Sequence, residues 1–486
     1  MRAPSVTLAV FLFICGTAQA DPIAEAFASL PDFSHAGYAC GEQEPPVLPV
    51  AVNVCECGAK GDGQTDDNAA FEKALGQTQS GAVLVPAGVY CLSRPLVLNR
   101  SGVVLRGAGR DQTTLRFTRS LTDIAPQPTF NSGGTPTSAY SWSGGMLQLE
   151  GKGDSKDGDL SAKVTAVSPK GARTLAVDHP ETFRPGMEAV LGLSDPGDQS
   201  LARYLAGPTR ESFASWKRIN ASQSVRIVKV EGKTLFLDRP LRFETRLAWR
   251  PKLSVPAHAL TQAGVEDLTI AFPVTPYRGH FREVGFNAIA IGNAAHCWVR
   301  HLRITNADSG IFCGGRQCTL QDIAFTSQRT PDKTGCTGHH GILLGQDNLL
   351  SGFSFANRFI HDITVSGGSS GNVVENGRAA DLALDHHCRG PYENLFCNLD
   401  AGAGTRLYRS GGGEDLGPHC GEGSVFWGIR AEQALPPPPA GWGPSSLLLV
   451  GVTREAGGYR VVPADSKSLV PVNPRVAQLK ERLGKK

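Results

Sequence analysis

Short apolar runs recur along this chain, each closed by Gly, Pro or Asn. They lie at 83–85, 89–92, 96–98, 103–105 and 114–117. The pattern resumes at Val265, with apolar cores at 268–270, 299–304, 320–325, 360–365, 373–374, 395–396 and 425–427. Strands this short, punctuated this regularly, predict stacked coils or blades of a repeat fold. The spacing favours coils: Cys297 to Cys318 is a step of 21 residues and Asn372 to Asn394 a step of 22. A period of about 20–25 residues with a strand or more per turn fits a parallel β-helix. An irregular β-sandwich is the alternative.

Two stretches break the pattern. Alternation at 163–167, 174–177, 188–193, 225–230 and 234–237 reads as a small antiparallel β module beside a groove. Near the start, Thr65 is a good N-cap, Asp66 and Asp67 suit the positive end of a helix dipole, and Ala69, Ala70, Phe71, Ala74 and Leu75 carry helical spacing. The expected organisation is a signal segment at 1–20, a cap with the first coils at 21–154, an inserted β module at 155–250, main coils at 251–430, and a tail at 431–486. Within the tail the prolines at 436–439 exclude a central strand, and 476–486 reads as a short basic helix or a frayed end.

Composition narrows the class. Lys and Arg number 48 against 45 Asp and Glu, a net charge of +3, so no basic stripe marks a nucleic-acid binder. Glycine is 57 of 486 residues, which means frequent turns and close backbone packing. Arg2, the apolar stretch 6–16 and the small-x-small Ala18-Gln19-Ala20 read as a secretory signal. That stretch is shorter than the roughly 20 residues a membrane span needs, so no membrane partner is expected. The protein is read as secreted, or periplasmic in a bacterium. Removing Cys15 leaves Cys40, Cys55, Cys57, Cys91, Cys297, Cys313, Cys318, Cys336, Cys388, Cys397 and Cys420. In an oxidising compartment most should form disulfides, with at least one left over; Cys313–Cys318 and Cys388–Cys397 could close short loops.

The segment Cys57-Gly58-Ala59-Lys60-Gly61-Asp62-Gly63-Gln64-Thr65-Asp66-Asp67 is followed by Val83-Leu84-Val85-Pro86-Ala87-Gly88-Val89-Tyr90 and then Val104-Leu105-Arg106-Gly107-Ala108-Gly109. This resembles the opening of the pectate-lyase-like superfamily, in the branch that groups rhamnogalacturonases, polygalacturonases and C5-epimerase-like proteins. The resemblance implies an all-β chain: a right-handed parallel β-helix capped by a short helix at Thr65, with carbohydrate as the ligand. It leaves the reaction open, because hydrolases, lyases, epimerases and phage tailspikes share this opening. Asp62, Asp66 and Asp67 read as turn and cap residues. A calcium ion there is the alternative; no other cofactor is predicted.

Reactive side chains concentrate between Asp308 and Arg409. One cluster is His339-His340, a second is Asp385-His386-His387-Cys388-Arg389, and Arg406 and Arg409 follow a glycine turn. His340 and His386 are 46 residues apart, close to two coils, which places the clusters on one face about 10 Å apart. Adjacent residues on a strand point to opposite sides, so one histidine of each pair is expected inside. Chemistry on a uronic acid needs a base near neutral pKa, for which His is suited, and a cation beside the sugar carboxylate, for which Arg is suited. The candidate catalytic residues are therefore His339, His340, Asp385, His386, His387 and Arg389. Asp308, Tyr277, Arg278, His280, Arg406 and Arg409 are candidate substrate contacts. Zinc held by Asp385 and the histidines is chemically feasible, but two adjacent pairs are not a ligand spacing, so no metal site is assigned. The leading expectation is β-elimination in an acidic polysaccharide, with no nucleic-acid partner and no stated oligomeric state. Hydrolysis, C5-epimerisation and non-catalytic carbohydrate binding are the rivals. For hydrolysis, Asp308, Asp381, Asp385 and Glu393 are the available carboxylates.

Overall fold

The computed structural model describes residues 21–131, 133–152, 160–209, 211–256, 259–413 and 415–484. The expected signal segment at 1–20 lies outside the described residues. Two long parallel sheets run side by side. Most main coils contribute one strand to each, as in Trp298–Thr305 then Ser309–Arg316, and Leu349–Phe355 then Phe359–Ser370. In the first sheet Val299, Leu320, Leu350, Val374, Phe396, Phe426 and Leu449 are register partners in succession. All seven are buried in one continuous core. Phe325 stacks on Phe355 at 4.5 Å and Phe396 on Phe426 at 5.1 Å. The repeat thus stacks like on like, and each coil hides the apolar face of the next.

The asparagine spacing has a physical cause. The side-chain oxygens of Asn348, Asn372 and Asn394 accept from the backbone N–H of Cys318, Asn348 and Asn372 in turn. Each amide satisfies a buried backbone donor of the coil before it, where no sheet partner is available.

The inserted module is a six-stranded antiparallel sheet from Leu160–Lys163 to Lys252–Val255. Gly264 pairs with Val104 across the insertion, so the β-helix resumes as if the module were absent. The module has its own core around Phe243, Trp249 and Leu253, extended by Cys388 and Tyr392 of the β-helix. Arg242 of the module pairs with buried Asp347 and Glu393, and Lys170 also reaches Glu393. Glu393, expected as an available carboxylate, is therefore committed to these pairs.

Three local expectations need correction. The capping helix is Asn68–Gln77, preceded by Asp67 and not by Thr65. Asp62 accepts from the N–H groups of Gln64 and Thr65 and from the Thr65 hydroxyl, which holds Thr65 in a turn. Asp67 accepts from Lys60 N–H and Gly61 N–H. The tail continues the first sheet with Leu448–Val450 and Arg460–Val462. Its last helix, Pro474–Arg482, is tied down: Arg475 forks onto Glu375, and Arg482 donates to the carbonyls of Ser34 and Cys40. Finally, all eleven described cysteines are free thiols. Cys318 contacts both Cys297 and Cys313. Cys388 lies 3.4 Å from His419, while Cys397 sits in a separate core cluster.

Candidate functional site

Residue counts between register partners locate the site. Between Val265 and Leu449 most steps in the first sheet run 21 to 24 residues, as from Val299 to Leu320 and from Leu350 to Val374. Three are longer: 34 residues from Val265 to Val299, and 30 each from Leu320 to Leu350 and from Phe396 to Phe426. The surplus forms loops 272–286, 327–337 and 401–424, which leave the C-terminal ends of first-sheet strands. They supply Tyr277, Arg278, His280, Arg282 and Glu283 from the first loop, Arg329 and Lys333 from the second, and Arg406 and Arg409 from the third. Tyr277, Arg278, His280, Arg282, Lys333 and Arg409 line a cleft of about 720 Å³, with Asp332 as its acidic member. A second cleft of about 500 Å³, lined by Arg358, Asp381 and Tyr408, shares Thr334 and Arg409 with the first.

Beside the first cleft lies a group of imidazoles. His340 and His361 are register partners on neighbouring coils, with rings 4.9 Å apart. His339 is 4.1 Å from His340 and 4.5 Å from His280. His361 is 5.2 Å from His387, and His340 is 6.5 Å from His387. The two predicted clusters therefore meet, and the side chains lean closer than two strand spacings.

Parity holds for one pair and fails for the other. His386 points inward, its ring 5.1 Å from Phe396 and 4.6 Å from Trp442, and burial pushes it down to about 4. It is core, not cleft. His339 and His340 lie on the same side. A Cβ on Gly341 would meet the Phe355 ring at 2.6 Å, so Gly341 occupies the inward direction and Ile342 follows it into the core. Two consecutive residues thus face the core, and alternation is lost there.

Asp385 organises the group. Its Oδ1 accepts from Gly411 N–H at 2.7 Å and its Oδ2 from the Thr364 hydroxyl at 3.0 Å. Nδ1 of His387 lies 3.0 Å from that Oδ2, and Nδ1 of His361 lies 3.2 Å from it, poorly aligned for a hydrogen bond. Burial opposes its charge, but His361, His387 and the Gly411 N–H together hold it well below the usual carboxylate range. Burial, reinforced by neighbouring imidazoles, lowers His339 and His340 well below their ordinary value. Burial brings His361 to about 4 although Asp385 pulls the other way, and it lowers His280 too. These four rings are neutral at neutral pH and can accept a proton or a ligand.

Other candidates are committed to structure. Asp308 accepts from the N–H groups of Val284, Gly285 and Phe286 and pairs with buried Arg329, which fixes the end of the 272–286 loop. Tyr277 donates to Glu283 at 2.6 Å within the protein, although its edge lines the cleft. Arg406 is buried and donates to Asp362 Oδ2 and to the carbonyls of Phe359 and Asp381. Burial raises its partner Asp362 to about 6. Asp381 accepts from Thr405. Arg389 is exposed outside the cleft and belongs to neither wall. Sequence reasoning passed over His361, Glu283 and Arg282. His361 had a signal: it follows His340 by 21 residues, one coil.

Residues 51–135 match the family described as rhamnogalacturonase A/epimerase, pectate lyase-like. A stretch of 71 residues is 46% identical to the pre-neck appendage protein of Bacillus phage phi29 and equally to the preneck appendage protein of Bacillus phage PZA. That stretch spans 14% of this chain and only 8% of those proteins. The tailspike protein gp49 from Pseudomonas phage LKA1 shares the fold, with a TM-score of 0.54 at 13% identity over 82% of this chain and 70% of that one. The chain is thus similar to the pectate-lyase-like family over its opening segment, and its parallel β-helix fold is one it shares with that tailspike.

Proposed function

We propose that this protein acts outside the cell on an acidic polysaccharide and cleaves it by β-elimination at a uronic acid residue. One observation carries the reading: a cleft walled by Arg278, Arg282, Lys333 and Arg409 opens beside neutral imidazoles and the Asp385–His387 pair. Guanidinium groups match a planar carboxylate and draw charge from the carbon beside it. His387 is 33% exposed at its side chain. With Nδ1–H on Asp385, its Nε2 is the free base. That nitrogen takes the C5 proton, the electron pair forms the C4–C5 double bond, and the C4–oxygen bond breaks. His387 then hands the same proton to the leaving oxygen, so the step balances without a further reactant.

The carboxylates favour this over hydrolysis. Hydrolysis needs two carboxyl groups facing one glycosidic bond. Asp308, Asp381 and Glu393 are bound into the scaffold, and Asp385 is bonded to Gly411, Thr364 and His387. The N-terminal export signal read from 1–20 agrees with an extracellular substrate. The test is a screen of pectic, alginate-type, glucuronan and neutral glycans with wild type and His387→Ala. Ultraviolet absorbance from unsaturated ends, lost in the variant, is the expected result. Reducing ends without that absorbance would sink the elimination reading.

A further inference from the structure

Three imidazoles converge from three separate segments. His280 comes from loop 272–286, His339 from strand Gly338–Gln346 and His361 from strand Phe359–Ser370. One ring nitrogen of each lies within 4.8 Å of the others. Two of the three rings have a carboxylate at Nδ1: Glu283 Oε1 lies 3.4 Å from His339 and Asp385 Oδ2 lies 3.2 Å from His361. Both Nδ1 atoms and Glu283 Oε2 are buried without a well-directed hydrogen bond. A carboxylate at Nδ1 sets the tautomer and turns the Nε2 lone pair toward a ligand, the outer-shell arrangement that histidine metal sites use.

We propose that His280, His339 and His361 bind one divalent first-row transition ion of the zinc type, oriented by Glu283 and Asp385. The donor set is all imidazole, which suits zinc and its neighbours and does not suit calcium, a cation that takes oxygen ligands. Zinc–nitrogen bonds of about 2.0–2.1 Å put tetrahedral ligands roughly 3.3 Å apart, so ring nitrogens now within 4.8 Å of one another must close by up to about 1.5 Å on binding. His280 lies on a loop and is only partly enclosed, its ring stacked on Phe281, so it is the ligand that can make that movement. His280 also lines the basic cleft, so an ion held there would be within reach of a sugar oxygen that enters it.

Two other groupings are weaker. His361, Asp385 and His387 share a ligand with this site, but Asp385 already accepts from Gly411 and Thr364 and serves as support. His35, Cys40 and Asp238 also lie close together, yet Arg226 and Arg239 donate to the Cys40 sulfur, and guanidinium groups repel a cation. The assignment rests on this geometry and not on the elimination reading.

The experiment is calorimetric titration of the metal-stripped full chain, free of any histidine tag, with Zn²⁺, and a visible spectrum with Co²⁺. One equivalent should bind, with cobalt bands of a nitrogen-coordinated tetrahedral ion. His280→Ala and His361→Ala should remove it, and Glu283→Gln and Asp385→Asn should weaken it about 10- to 100-fold. His301→Ala, at a surface histidine paired with Asp267, should bind as wild type does. His280→Ala alters an exposed loop, so unchanged circular dichroism keeps that arm decisive. A wild type that binds no better than His361→Ala, or a site abolished only by His35→Ala, overturns the proposal. Zinc binding without any cleavage would remove the elimination reading and leave this one standing.

Discussion

Arg406 and Arg409 stand three residues apart and should fail in opposite ways when replaced. Arg406 is 8% exposed. Its Nε donates to Asp381 O at 2.8 Å, Nη1 to Phe359 O at 2.7 Å and Nη2 to Asp362 Oδ2 at 2.6 Å. Arg406→Met keeps the stem volume and removes all three donors. It leaves the buried Asp362 carboxylate with two backbone N–H donors but no counter-charge, and takes a donor from two carbonyls. Breaking one partner of a buried pair costs about 3–5 kcal/mol. The separate penalties of about 1–3 kcal/mol per unsatisfied group do not simply add to that, because the same desolvated space is shared. A loss of about 3–5 kcal/mol is therefore expected, read as a shift of the urea midpoint. Arg409→Ala removes an exposed side chain at the cleft, and stability should stay within about 0.5 kcal/mol. Its loss should appear in binding instead. One charge-assisted hydrogen bond of about 1.5–3 kcal/mol corresponds to a roughly 10- to 100-fold rise in KM for an acidic glycan. An Arg406→Met protein as stable as wild type but blind to substrate would refute this division. So would an Arg409→Ala protein that melts early.

The same contrast applies to the adjacent histidines: His387→Ala should lower turnover about 10²- to 10⁴-fold with the fold intact, whereas His386→Leu should keep wild-type turnover and stability, and steady-state rates plus melting curves decide. Gly341→Ala should destabilise by about 1–3 kcal/mol, because its Cβ would lie 2.4 Å from Asp362 O; an unchanged urea midpoint would show that the strand can relax there. His35, facing Asp32, Asp238, Arg239 and Arg482, is pushed down to about 4 chiefly by burial, aided by Arg239. The fold therefore prefers its neutral form, so about 3 kcal/mol present above pH 6.5 should be lost as pH falls from 6.5 to 4; His35→Asn should flatten that window of a pH-resolved urea series.

What the sequence revealed and what it hid follow from one distinction. Features set by the coil period were legible. The step from Asn372 to Asn394 is an actual ladder, since each side chain caps the coil before it. The Thr65 cap was misplaced by two residues because an Asx-type turn at Asp62 competes for the same backbone. The disulfide expectation rested on compartment alone, and pairing depends on where coils bring thiols together. His339 and His340 sharing a side could not be read from alternation, because alternation is broken at a glycine whose need for space comes from Phe355 on the neighbouring sheet. Arg406 and Arg409 look equivalent in sequence. Only the position of Asp362, 44 residues earlier, separates them.

A β-helix alone cannot make three rings converge on a point. Its strands fix equivalent side chains about 4.8 Å apart along one line, as His340 and His361 are at 4.9 Å. Such a row can bind an extended chain, but a ring of ligands or a base poised against a carboxylate needs groups that approach from off the line. Those groups come from the steps that exceed the period. His280 and Glu283 arrive through the 34-residue step and Arg409 through a 30-residue one. The strands supply His339, His361 and Asp385 with rigid placement, and the loops supply access and counter-charge. Rigid scaffold and surplus chain thus divide the work, so residues in the ladder should govern where chemistry occurs, and residues in the three long loops should govern which glycan it occurs on.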